Sequence, residues 1–269
     1  MIEPLPSQSP PPGTHPIQAF VFDTFGTVVD FYHPMKRQFE VFAKSRDVDC
    51  DAGQLAIDWR TAYLFSTFGQ AVEESEFRPL REINRDNLAQ LMKTNFPAPV
   101  SDTELDGLNS VWERLDPWPD AVAGLMRLKR KAIIAPLSNG NFADMVRLSR
   151  YAGLPWDIVL GASIAGFYKP HPRTYLESVS ALGLEPADVC MVAAHQLDLA
   201  YAAGHGMQTA FVARPNEFGG PVKPAQPEEG VSYLAAAEVH AEGNWTYCAT
   251  DFEDLAAQAE HHFQHPGRT

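Results

Sequence analysis

The apolar positions of the chain follow two rhythms. Short, dense runs recur at 17–23 (IQAFVFD), 132–137 (AIIAPL), 157–160 (DIVL), 189–192 (VCMV) and 209–212 (TAFV). Runs of this length, rich in β-branched residues, predict buried parallel strands. Helical stretches separate the later ones. MVRLSRYAGL and PRTYLESVSALGL carry Gly153 and Gly183 where a helix ends on a left-handed residue, and DLAYAAGHG also ends on glycines. Strand, helix, strand at this spacing predicts an α/β fold: a doubly wound, mostly parallel sheet with a Rossmann-like core.

Residues 32–115 break that rhythm. MKRQFEVFAKSR, AGQLAIDWRTAYLFSTF, FRPLREINRDNLAQLMKTNF and DTELDGLNSVWERL place apolar residues at helical spacing, with no convincing strand among them. An all-helical block directly after the first strand reads as a helical cap domain inserted into the core. The expected division is a Pro-rich tail at 1–16, a core of 17–31 and 116–259, a cap of 32–115 and a C-terminal tail at 260–269. The core resumes near Pro117, where DPWPDAVAGLMRLKRK starts a helix. Residues 216–244, rich in Gly, Pro and Glu, read as a surface excursion with a short helix in SYLAAAEVHAEG. Asp251 reads as the N-cap of a last helix, with Asp254 three residues on.

Composition narrows the class. The 269 residues are 45% apolar and 20% charged, which suits a globular enzyme and excludes wholesale disorder. A net charge of −13 argues against holding nucleic acid or an anionic membrane by bulk electrostatics, but leaves room for a small anionic substrate on a local cation cluster. Three scattered cysteines suit a reducing compartment. No apolar run reaches the roughly 18 residues that span a membrane. The first sixteen residues hold six prolines and no apolar core of a secretory signal, so a cytoplasmic protein is expected. The cap and core both offer apolar faces through which two copies could pair.

Chemistry in a parallel α/β sheet gathers outside the carboxyl ends of the strands. Asp23 ends the first run, Ser138 and Asn139 follow AIIAPL, and His195 and Asp198 follow VCMVAA. Lys169 lies in a loop before the helix that holds Tyr175. Nothing places three of the histidines, His171 or those of HHFQH near His261, at metal-ligand spacing with a partner element. Phe65, Phe68, Trp112 and Trp118 read as packing at the cap–core interface.

These segments resemble, in order, the four motifs of the haloacid dehalogenase superfamily: FVFDTFGTVVD with Asp23 as nucleophile, PLSNG with Ser138, YKPHP with Lys169 and AAHQLDL with Asp198. Phosphatases of that superfamily carry a second Asp two residues beyond the nucleophile, where this chain has Phe25, and a second acid in the fourth motif. Both departures point to the metal-independent type II, L-2-haloacid dehalogenase-like branch, and the resemblance implies no metal and no organic cofactor.

The resemblance implies an (S)-2-haloacid dehalogenase type of hydrolase acting on short 2-haloalkanoic acids. Asp23 would displace halide and form an ester, which water hydrolyses to a 2-hydroxy acid. It assigns Arg60 and Asn139 to the departing halide. Thr24, Phe25, Ser138 and Lys169 fall to the substrate carboxylate. Thr27 and Tyr175 support the site, and Asp198 handles the water. Where better-known members have Ser-Ser-Asn, this chain has Ala193, Ala194 and His195. His195 can act as donor, acceptor or cation. A related subgroup with His in this segment includes members that accept fluoroacetate, which extends the expectation to defluorination. A Mg²⁺-dependent phosphatase and a non-catalytic binding or regulatory protein stay open as alternatives.

Overall fold

The structure is a computed structural model that describes residues 15–73, 75–220 and 237–264. Its centre is a six-stranded sheet built from β1 (Ala19–Phe22), β4 (Ile133–Ser138), β5 (Leu160–Gly161), β6 (Val189–Ala193), β7 (Gln208–Val212) and β8 (Tyr247–Ala249). The order is β5-β4-β1-β6-β7-β8, and every pairing is parallel. Parallel strands are covered on both faces, and β1 shows it: Phe20 and Phe22 enter one hydrophobic core, Ala19 and Val21 the other. On the first face, α5 (Ala121–Lys129) packs with α10 (Phe252–Gln264). On the second lie α8 (Pro172–Ala181) and α9 (Gln196–Gly204), through Tyr175, Val179, Leu199 and Ala202.

Chain order along the sheet reverses between β1 and β6. A crevice opens outside the strand ends at such a switch point. Asp23 follows β1 there, and Ala194 and His195 follow β6.

Four helices, α1 (Tyr32–Ser45), α2 (Ala52–Glu73), α3 (Leu80–Asn95) and α4 (Asp102–Asn109), come next, closed by a 3₁₀ turn at Ser110–Glu113. The α4 start is a capping box, with Ser101 and Glu104 satisfying each other's backbone donors. A two-stranded antiparallel ribbon of β2 (Val29–Asp30) and β3 (Asp116–Pro117) brackets the helical stretch. Two-residue strands have no periodicity, and the sequence reading put the start of a helix where β3 lies. The helix α5 begins at Ala121 instead.

Other details depart from expectation. The strand expected at 157–160 shrinks to Leu160–Gly161, because Asp157 spends its carboxylate on the Ile134 amide and the Lys129 ammonium. The last helix runs to Gln264, past the expected start of a tail at 260, and Glu260 within it pairs with Arg127. The Asp251 cap is present, accepting from the Asp254 amide at 2.7 Å. Gly153 ends α6 (Phe142–Ala152) at φ 67°. The excursion expected at 216–244 is not all surface, since Glu217 is 0% and Phe218 7% exposed. The first five residues of the helix expected in SYLAAAEVHAEG, like nearly all of the Pro-rich tail, lie outside the described residues. Residues 237–243 are not helical. Among the described residues no helix is long and apolar enough to cross a membrane.

Candidate active site

Three of the residues singled out in the sequence, Lys169, Thr27 and His195, converge on Asp23. Its Oδ1 accepts from the Lys169 ammonium at 2.9 Å. Its Oδ2 accepts from the Thr27 hydroxyl at 2.7 Å and faces His195 Nδ1 at 3.1 Å. The Thr27 oxygen in turn accepts from the Ala194 amide at 3.0 Å, so the loops after β1 and β6 are stitched together at this point. Lys169 also reaches Asp198 Oδ2 at 2.5 Å, and the Tyr175 hydroxyl donates to Asp198 Oδ1 at 2.7 Å. Lys169 is itself placed by its backbone amide, which donates to Asn139 Oδ1 at 2.8 Å.

Burial makes these contacts strong. Burial on its own would raise the Asp23 carboxyl, but Lys169 and His195 outweigh it and hold it far below the usual carboxylate range. Burial would lower Lys169, yet Asp198 and Asp23 keep it protonated. Asp198 moves the other way. Burial and the Asp23 charge hold it above its ordinary value against the pull of Lys169 and Tyr175. One carboxyl is thus fixed as an anion and the other is made more basic, the division of labour that a nucleophile and a general base require.

The rest of the set lies around this centre. Ser138 is buried at the end of β4, and its hydroxyl accepts from the Gly140 amide at 3.2 Å. Neither Ser138 nor Asn139 bonds Asp23 among the described residues. The Thr24 hydroxyl is buried without a hydrogen-bond partner among the described residues. Phe25 meets Trp112 and Tyr63 edge-on at 5.1 and 6.1 Å between ring centres. The position two beyond Asp23 is therefore part of an aromatic wall, with no proton to give. Trp112 is buried there and Trp118 donates to the Gly26 carbonyl at 2.8 Å. Phe65 and Phe68, expected at the interface, are 48% and 43% exposed, on the opposite face of α2.

Arg60 enters from α2, whose placement is fixed by the buried Trp59 donating to the Asn84 carbonyl at 2.9 Å. The guanidinium lies over Tyr63 and Phe31, 4.7 and 5.4 Å from the ring centres, and one nitrogen reaches the Phe25 carbonyl at 3.3 Å. Its Nε and a second terminal nitrogen are buried with no partner among the described residues. Such donors are costly to leave unmade, and an anion satisfies them.

One residue of the site escaped the sequence reading. His195 Nε2 faces Glu217 Oε1 at 2.8 Å, so the imidazole lies between two carboxylates. Burial opposes the charge on His195, but Glu217 and Asp23 overcome it and raise it well above an ordinary histidine. Arg214 anchors the Glu217 turn. It donates to the Thr27 carbonyl at 2.8 Å and binds Asp120 through two nitrogens at 2.8 and 2.9 Å.

Gly26 makes room for Glu217. It holds φ +91°, and a Cβ there would stand 2.1 Å from Glu217 Oε1. Gly26→Ala is expected to lower stability by about 1–3 kcal/mol through backbone strain alone, and more through the clash. A thermal melt unchanged from wild type would contradict it.

Known proteins resemble this chain in sequence and in fold. The sequence model for haloacid dehalogenase-like hydrolases matches residues 17–206. The chain belongs to that family. An (S)-2-haloacid dehalogenase of Xanthobacter autotrophicus is 30% identical over 203 residues, covering 74% of this chain and 76% of the relative. Among solved structures, the defluorinating L-2-haloacid dehalogenase Rha0230 is 36% identical, with a TM-score of 0.84 over 94% of this chain and 99% of its own. The L-2-haloacid dehalogenase PA0810 is 34% identical, with a TM-score of 0.80 over 91% of this chain and 99% of its own. The α/β fold with helices inserted after the first strand is thus the fold of this family of hydrolases.

Proposed function

We propose that this hydrolase removes halide from short 2-haloalkanoic acids through an ester on Asp23, with residues 32–115 acting as the cap over the site. The observation that carries the reading is Asp23 itself: a buried carboxylate kept ionised by Lys169 and His195, beside a second carboxylate, Asp198, kept basic. An ionised carboxylate can displace halide at carbon, and a basic one can take the proton of the water that cleaves the ester. The aromatic Phe25, where a phosphatase needs an acid, favours this reading over phosphate-ester hydrolysis. The likeness to (S)-2-haloacid dehalogenases supports the substrate class, and the defluorinating relative supports fluoroacetate as one substrate.

In this reading Arg60 offers its two unpartnered donors to the departing halide. Ser138, Thr24 and Lys169 hold the substrate carboxylate. Asp23 Oδ1 forms a bond to the halogen-bearing carbon as the carbon–halogen pair leaves with the halide. Water then adds to the ester carbonyl and gives a proton to Asp198, which returns it to the departing 2-hydroxy acid.

The test is halide release in EDTA from chloroacetate, fluoroacetate and each enantiomer of 2-chloropropionate. Release from at least one haloacid is expected. No release from any of them, together with phosphate-ester hydrolysis that needs Mg²⁺, would replace this reading with the phosphatase. A second prediction concerns Arg60→Lys, which keeps the charge but loses the planar fork. It is expected to lower kcat/KM about 100-fold, the scale of one lost transition-state donor. Steady-state halide release checks it, and an unchanged value would remove Arg60 from the halide.

A further inference from the structure

We propose that Glu217 is a positioning residue that clamps His195 as an imidazolium, whose Nδ1–H joins the Thr27 hydroxyl in an oxyanion hole for hydrolysis of the Asp23 ester. This rests on the aspartyl-ester reading above. With Asp23 and Glu217 ionised, the geometry leaves His195 one of its three open roles. Both ring nitrogens face carboxylate oxygens, Asp23 Oδ2 at 3.1 Å and Glu217 Oε1 at 2.8 Å. Carboxylate oxygens only accept, so both contacts are hydrogen bonds only if both nitrogens carry protons. A histidine in that state has no lone pair for a water proton. It is a donor and a cation, and Asp198 is left as the base.

The donors on Asp23 show where that cation acts. Oδ2 has two, Thr27 and His195, while Oδ1 has one, Lys169. The less engaged Oδ1 is the atom free to attack carbon, and Oδ2 then becomes the carbonyl oxygen of the ester. When water adds to the ester carbon, its proton passes to Asp198 and the carbonyl electron pair moves onto Oδ2. Charge therefore develops on the atom that Thr27 and His195 already address. Collapse restores the carbonyl and breaks the bond from Oδ1 to the carboxyl carbon. The 2-hydroxy acid leaves with the proton from Asp198, and the regenerated Asp23 carboxyl releases its own proton to solvent. Preorganised donors of this kind act most strongly in a buried site.

Glu217 is built for this position. It is fully buried, and its second oxygen has no hydrogen-bond partner among the described residues. A carboxylate so enclosed is tolerable when its one strong partner is cationic. The missing Cβ of Gly26 gives it space, and its amide donates to the Arg214 carbonyl at 3.1 Å. Among the described residues the charged groups facing His195 are Asp23 at the end of β1, Glu217 on its turn and Glu238 beside the start of α9. Lys169 and Asp198 complete the ring around Asp23.

The experiment is single-turnover and steady-state halide release with chloroacetate across pH, for wild type and Glu217→Gln, with mass spectrometry of the Asp23 peptide. Glu217→Gln is expected to keep a burst of one halide per active site, accumulate the ester and turn over about tenfold or more slowly. The alkaline limb of its turnover is expected to move to lower pH, towards an ordinary histidine. If Glu217→Gln fails to fold, the wild type carries the test: on its own alkaline limb the ester should accumulate while the burst persists. Turnover and alkaline limb identical to wild type would overturn the proposal, as would equal loss of burst and turnover. A wild type that turns over while Glu217→Gln matches it overturns this proposal alone. A wild type that releases no halide from any haloacid overturns the ester reading, and this proposal with it.

Discussion

Asp23→Asn is expected to abolish halide release, with a loss of roughly 10⁴-fold or more, the scale for removing a covalent nucleophile. The substitution keeps the shape of the side chain and removes its charge. An amide oxygen at this place is too weak a nucleophile to displace halide, and no Asp23-linked adduct should appear by mass spectrometry. The chain should still fold, because Thr27, Lys169 and His195 keep an oxygen or each other's neighbours to bond. Circular dichroism separates a silent enzyme from an unfolded one. Halide release within about tenfold of wild type would move the covalent step off Asp23 altogether.

The same residue has a pH consequence. Three donors stabilise its charge, so Asp23 is a weak base as well as an anion. Its competence must come from placement: a charged atom held in line with the reacting carbon needs no great basicity. The rate of the halide burst should therefore be flat through the mildly acid range, with any acid limb of turnover belonging to Asp198, whose carboxyl is held above its ordinary value.

Much of this site was legible because each residue sits beside a local signal. Asp23, Asn139 and His195 each follow a dense apolar run, and a buried parallel strand delivers whatever follows it to the same edge of the sheet. Glu217 carried no such signal. It lies in RPNEFGG, in a stretch whose Gly, Pro and Glu content reads as solvent-exposed. Only the neighbouring Phe218, itself buried, hints that this turn folds inward. A buried Glu is recognised by its partner, and His195 is 22 residues away in the chain. The α2 helix shows a different limit. It is apolar around much of its circumference, so spacing alone could not say that Trp59 and Tyr63 face in while Phe65 and Phe68 face out. β2 and β3 are too short to carry any period, and β8 has three residues.

Lys169→Met tests the electrostatic heart of the site through stability as well as rate. The lysine is one cation between two carboxylates, and the three side chains are 9–12% exposed. Methionine fills the volume and leaves Asp23 and Asp198 facing each other without it. Removing one partner of a buried ion pair typically costs about 3–5 kcal/mol, and a loss of that order is expected near neutral pH. The sign of the pH effect follows from the pair. Without Lys169, Asp198, buried beside an Asp23 charge that His195 still supports, titrates in the folded variant further above its unfolded value near 4. A folded value above the unfolded one gives stability that is present in acid and lost as pH rises through it. The difference in Tm between wild type and variant should be largest around pH 7–8 and narrow towards pH 5. Activity should not recover with it, because the proton that relieves the repulsion also silences the nucleophile or the base. Melting curves and halide release at both pH values check the two halves. An equal Tm difference at pH 5 and pH 8 would mean that Lys169 acts through packing, and the charge balance drawn around Asp23 would fail with it.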